Sequence, residues 1–80
     1  MPEVFRWKSC KFFFFSNEGD PREPLHIHVR SHGARAKFWL RPVAVAENFG
    51  FAAHELNDLA RAISDNEARI ERAWHEHFGD

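Results

Sequence analysis

Two runs of alternating side chains, Leu25 to Arg30 and Ala34 to Arg41, limit what this chain can fold into more than any other part of it. Successive side chains of a strand point to opposite faces, so Leu25, Ile27 and Val29 share one face while His26, His28 and Arg30 share the other. The second run obeys the same rule, with Ala34, Ala36, Phe38 and Leu40 on one face and Arg35, Lys37, Trp39 and Arg41 on its reverse. Ser31-His32-Gly33 between the runs is turn material. A tight turn at His32-Gly33, or a longer loop from Ser31 to Ala34, gives one register: Ile27 opposite Phe38, His26 opposite Trp39, His28 opposite Lys37 and Arg30 opposite Arg35. A slip of one residue would send one apolar face into water, so this register is strongly specified.

The same register opposes like charges, which destabilises a cross-strand pair by about a few tenths of a kcal/mol or more. A face of Arg against Arg and His against Lys is expected to lack its counter-charge, which a phosphate, a carboxylate or an acidic partner protein supplies. The candidate residues for anion or nucleic-acid binding are therefore Arg30, Arg35, Lys37, Trp39 and Arg41. Trp39 is placed either to stack on a base or to be covered by Phe13, Phe15 or a partner protein. His26 and His28 are the candidate catalytic pair, because an imidazole titrates near neutrality and serves as general acid or base.

The two histidines have Cα atoms roughly 6.5 to 7 Å apart along the strand, a spacing that also suits one metal ion. A metal needs further ligands, and Glu18, Asp20 and Glu23 in the preceding loop are the nearest carboxylates. Nothing in their spacing requires coordination, so no cofactor is expected, and His26, His28 and Glu23 stand as the alternative metal set. Two polar side chains on a solvated strand face are the plainest explanation of the pair.

Eighty residues make one domain, spanning 1–80, with a core near the lower limit for independent folding. Nine Phe and three Trp without a single Tyr supply large rings to bury, and a single cysteine excludes an internal disulfide. Neither a signal-peptide pattern nor a membrane span is visible, so a reducing cytoplasm is the expected location. The net charge of -1 hides a polarity. Residues 1 to 46 carry eight Lys or Arg against four acids, whereas residues 47 to 80 carry three Arg against eight acids. An anion-facing sheet backed by acidic helices fits that division, and a mixed solvated surface is the bland alternative.

The elements follow from periodicity. Val4 to Lys8 alternates weakly as a first strand, with Phe5 and Trp7 on one face; Lys11 to Ser16, holding Phe12 to Phe15, reads as an interior strand apolar on both faces. Asn17 to Pro24 is loop, with Gly19, Pro21 and Pro24 as breakers. Pro42 to Ala46 is ambiguous between an edge strand and an extended connector, ended by Asn48-Phe49-Gly50. Ala53, Leu56, Leu59, Ala60 and Ile63 form the stripe of a helix from Phe51 to Ile63. Ser64 and Glu67 have capping-box spacing, and Ile70, Ala73, Trp74, His77 and Phe78 form the stripe of a second helix. The expected fold is α+β: a small antiparallel sheet of three to four strands followed by two helices packed on one face.

The other candidates are weaker. His75 and His77 point about 200° apart on a helix and cannot grip one ion together, which leaves His77 as a packed histidine and His75 as a solvated one. Trp74 and Phe78 read as core. Cys10 shows no sign of activation and reads as a small, half-buried residue. A Gly-rich phosphate loop, a paired-cysteine metal motif, a nucleophile elbow and a His-Glu-x-x-His helix are all absent.

Glu-Pro-x-His-Ile-His-Val at 23 to 29, Ala-Lys-Phe-Trp-Leu at 36 to 40, Asn48-Phe49-Gly50-Phe51, Glu55-Leu56 and Trp74-His75-Glu76-His77-Phe78 occur here in one order. In this, from about Phe12 to Phe78, the chain resembles the small bacterial family of domain of unknown function 4160. The family has no established activity to carry over. Its members are often described as components of toxin-antitoxin-like gene pairs, beside another small domain of unknown function. The resemblance thus implies a two-protein module, with a partner encoded by a neighbouring gene and an RNA-directed toxin-like half.

Three functional classes follow. The leading expectation is the toxin-like half of such a module, acting on RNA through the basic face. His26 or His28 would serve as acid or base, Arg30, Arg35 and Lys37 would stabilise phosphate charge, and Trp39 would stack a base. The second is a non-catalytic interaction module whose sheet face or edge docks an acidic partner or a second copy of the chain. The third is a metal-dependent enzyme using His26 and His28.

Overall fold

The alternating runs pair in the expected register. In the computed structural model, which describes residues 3–15 and 23–79, β3 (His26–Ser31) and β4 (Ala34–Leu40) are antiparallel, with Ile27 opposite Phe38 and Arg30 opposite Arg35. The turn residues His32 and Gly33 both have positive φ, 48° and 84°. Two such residues match the right-handed twist of a hairpin, which is why a glycine stands at the second position. Gly50, at φ 99°, turns the chain off the sheet where an added Cβ would come within 3.2 Å of the Ala34 Cβ.

Around this hairpin stand β1 (Glu3–Trp7), β2 (Cys10–Phe13) and β5 (Val43–Phe49), giving a five-stranded antiparallel sheet in sequence order. The sheet thus has one strand more than the three to four expected. Val43 to Phe49 is a true edge strand, paired with β4 from Leu40 to Arg35. Its alternation was obscured because the pairing steps from Glu47 to Val45 and leaves Ala46 as an extra residue. This bulge puts Val43 and Val45 on the face of Leu40 and Phe38, and Glu47 and Phe49 on the face of Lys37 and Arg35.

Two helices, α1 (Ala53–Asp65) and α2 (Glu67–Phe78), pack on the Ile27 and Phe38 face. From the sheet, Phe12, Ile27, Val29, Phe38 and Leu40 are buried, with Phe14 just past the end of β2; from the helices, Leu59, Ile63, Ile70 and Trp74 meet them. The Phe5 and Phe12 rings stack at 4.3 Å, and Phe14 meets Trp74 edge to face at 5.3 Å. Phe13 turns to the reverse face, as an interior strand apolar on both sides requires.

The helical boundaries differ from expectation in three places. Helix α1 begins at Ala53, which is exposed, and Ala62 joins Leu59 and Ile63 in the core instead. The Ser64 and Glu67 capping box does not form, because α1 continues through Ser64 to Asp65 and Asn66 separates the helices. Asn66 closes the end of α1, its side chain donating to the Ala62 carbonyl and its backbone N–H to that of Ile63. At the start of α1 the reciprocal contact is made by Glu55, which accepts the Ala52 N–H at 2.8 Å. His77, expected to be packed, is exposed beside the Phe78 ring, while Phe78 itself is half-buried.

Trp74→Ala is expected to cost about 3 to 5 kcal/mol, a large part of the stability of so small a domain. Urea unfolding measures it, and an unchanged midpoint would show that the indole is not core. Gly33→Ala should cost about 1 to 2 kcal/mol from backbone conformation alone, since an added Cβ there has nothing within 4 Å.

Candidate functional site

Strand alternation carries His28, Arg30, Arg35, Lys37 and Trp39 to the sheet face opposite the helices. Neighbouring strands bring rings to the same surface. Phe13 lies opposite His28 and stacks on it at 5.6 Å, Phe15 meets His28 at 4.5 Å, and Phe49 lies opposite Arg35. Together they line a shallow depression of about 210 Å³ that also includes Arg30, Lys37 and Glu47. Phe15 and Phe49 are 39% and 55% exposed, a large apolar area to leave in water in a chain this short.

The charge of this face is partly compensated, which corrects the expectation that it lacks counter-charge. Lys37 Nζ lies 2.6 Å from a Glu23 carboxylate oxygen and 4.6 Å from the Trp39 ring, with Glu47 directly across in β5. Arg30 and Arg35 are different. Among the described residues neither forms an ion pair; each guanidinium lies over a ring instead, Arg30 over Phe13 at 5.4 Å and Arg35 over Phe49 at 4.8 Å. Two exposed guanidiniums thus face each other across β3 and β4 with aromatic support and, among the described residues, no ion pair, although Glu47 lines the same depression. Arg41, also exposed, is drawn away from them by an ion pair with Glu71 of α2.

His26 departs most from expectation. It shares the face with His28 by register, but its side chain is fully buried. It stands at the start of β3, where the Trp74 indole reaches its ring at 5.1 Å, the His28 ring lies at 5.2 Å and the Trp39 ring at 5.8 Å. Its Nδ1 is 2.9 Å from the Pro24 carbonyl oxygen; a carbonyl only accepts, so this nitrogen carries a proton. The two histidines therefore do not present a matched, solvated pair. His28 is half-buried and borders the depression; His26 is buried beside it, against Trp39 and Trp74.

The alternative metal set is His26, His28 and Glu23. Among the described residues no three His, Cys, Asp or Glu side chains come together in a way that could hold an ion. His26 Nδ1 is engaged by Pro24, and the Glu23 carboxylate by Lys37. Glu18 and Asp20 lie outside the described residues.

Phe49 and Glu47 were missed because the bulge at Ala46 hides their face from a period-two reading. Two further clefts had no sequence signal. One, of about 390 Å³, opens between the Lys8-Ser9 and His32-Gly33 turns and α1, with Cys10, His54 and Asp58 in its lining. The other, of about 540 Å³, lies beside Trp39 at the opposite end of the sheet. Away from both, a hydrogen bond from Arg6 holds the exposed Glu3 carboxyl below the ordinary carboxylate range.

The family model described as "Domain of unknown function (DUF4160)" matches residues 10–75, from β2 into α2. No curated protein and no solved structure matches the chain. The matched span takes in the β3–β4 hairpin, the edge strand and most of both helices, well over half of the sequence. The chain belongs to the DUF4160 family.

Proposed function

We propose that this protein binds single-stranded RNA on the sheet face opposite its helices, as the toxin-like half of a two-protein module. The observation that carries the reading is the pairing of Arg30 with Arg35 across β3 and β4, each over a ring, with Phe15 and Phe49 exposed beside them. Guanidiniums bind phosphates in a fork, and exposed rings stack on bases. Bases inside a duplex offer no free face to such rings, so the mixture favours an unpaired strand. Phosphate also relieves the repulsion between the two guanidiniums, so binding and the sheet stabilise each other.

His28 borders the same depression, which supports it over the buried His26 as the side chain for proton transfer. Glu23 and Glu71 already neutralise Lys37 and Arg41. An acidic segment of a partner protein could neutralise Arg30 and Arg35 in the same way and exclude RNA, which is how the second half of the module would act. A purely protein-docking surface would need no paired guanidiniums over rings, so it ranks second.

Fluorescence anisotropy with a labelled RNA of roughly ten nucleotides, repeated across salt concentrations, tests the reading. The wild type should bind at low salt, and Arg30→Ala with Arg35→Ala should flatten the slope of log K against log salt by about 1.4. His28→Ala should leave binding largely intact and lower any strand cleavage about a hundredfold. A wild type that binds no RNA at low salt overturns the proposal.

A further inference from the structure

The second cleft lies where β3 begins and β4 turns into β5. Its volume is about 540 Å³ and its walls are Pro24, Leu25, Trp39, Arg41, Pro42 and Ala44. Among these described residues four are aliphatic or proline side chains, one is an indole, and Arg41 carries the charge. We propose that this cleft receives one unpaired base of the bound strand, with Lys37 and Arg41 holding the phosphates on either side and His26 fixing the indole on which the base stacks. The inference rests on the RNA reading above and assigns a particular base subsite within it.

The register along β4 supports the assignment. Lys37, Trp39 and Arg41 succeed one another on one face at two-residue steps, roughly 6.5 to 7 Å apart along a strand. A cation, a ring and a cation follow the order of phosphate, base and phosphate along an extended single strand, and the long Lys37 and Arg41 side chains have roughly 13 to 14 Å between their Cα atoms to close. Lys37 Nζ already lies 4.6 Å from the Trp39 ring, and Arg41 borders the cleft. Both cations hold carboxylates at present, Lys37 that of Glu23 and Arg41 that of Glu71. The Arg41–Glu71 pair is open to solvent and therefore weak, and at both cations a phosphate oxygen can replace the carboxylate with the same geometry.

His26 gives the cleft its shape. Its buried ring meets the Trp39 ring edge to face at 5.8 Å and 86°, while its Nδ1–H holds the carbonyl of Pro24, itself a wall of the cleft. The Leu40 N–H donates to the Leu25 carbonyl at 3.2 Å and fixes the next wall residue against β4. One buried imidazole thus ties the stacking ring to the opposite wall. That makes His26 a positioning residue, and it explains why a histidine on a nominally solvated strand face is covered.

The test compares two oligomers of equal length, roughly ten-nucleotide polyuridine RNA and the same backbone without bases, on the full chain. The wild type should bind the base-bearing oligomer about tenfold or more tightly than the abasic one, and Trp39→Ala should bring that ratio close to one without changing the salt slope. Trp39→Phe should keep most of the ratio, which guards against misfolding of the alanine variant. His26→Ala should lower the ratio while abasic affinity stays constant, and His26→Asn, which retains a donor for the Pro24 carbonyl, should restore part of it. A ratio unchanged by Trp39→Ala in a protein that still binds RNA overturns the subsite and leaves the RNA face standing. Absence of RNA binding by the wild type overturns both. A proline-rich or acidic peptide that shifts the Trp39 indole N–H resonance when RNA does not would assign the cleft to a protein ligand and overturn the base assignment.

Discussion

Ile27 against Phe38, both fully buried at the centre of the β3–β4 hairpin, is the contact on which the remaining structure is arranged. Two fully buried side chains of this size gain about 1.5 to 3 kcal/mol each over their exposed state. Their pairing fixes the face of every other residue in both strands. The basic face is a by-product of the core: with Ile27 and Phe38 inward, Arg30 and Arg35 have no choice but to meet on the reverse side. Their mutual repulsion is a fraction of the burial gain, so the fold tolerates it. A charge arrangement poor for an isolated sheet can therefore persist as a receptor for anions.

The helices complete this division. Trp74, anchored on Phe14 and Phe78, reaches the start of β3 and closes over His26. Glu71, one turn earlier on the same helix, takes Arg41. Helix α2 thus both seals the core and trims the basic face at its Trp39 end, leaving Arg30 and Arg35 as the guanidiniums of that face that form no ion pair among the described residues.

How much of this was legible in the sequence depends on how local each determinant is. The β3–β4 register was readable to the residue because a period-two pattern and a His-Gly turn agree. The edge strand was ambiguous, since the extra residue at Ala46 breaks that period and a bulge leaves no mark in composition. The Ser64 and Glu67 signature misled because a capping box requires a non-helical Ser64 backbone, and the packing of Ala62 and Ile63 carries α1 past it. His26 was misplaced in burial, though not in facing. Its cover comes from Trp74, 48 positions away in the chain, and no local pattern announces a contact of that range. A separation of 30 positions likewise hid the partner of Arg41.

The central claim is that the reverse face of the sheet, around Arg30 and Arg35, receives RNA. Chemical-shift mapping of the isotopically labelled full chain during titration with single-stranded RNA tests it most directly. The expected shifts cluster at His28, Arg30, Arg35, Lys37 and Phe49, and leave Leu59, Ile63 and Ile70 in the core unmoved. Shifts confined to the cleft of His54 and Asp58, or none at saturating RNA, would contradict it.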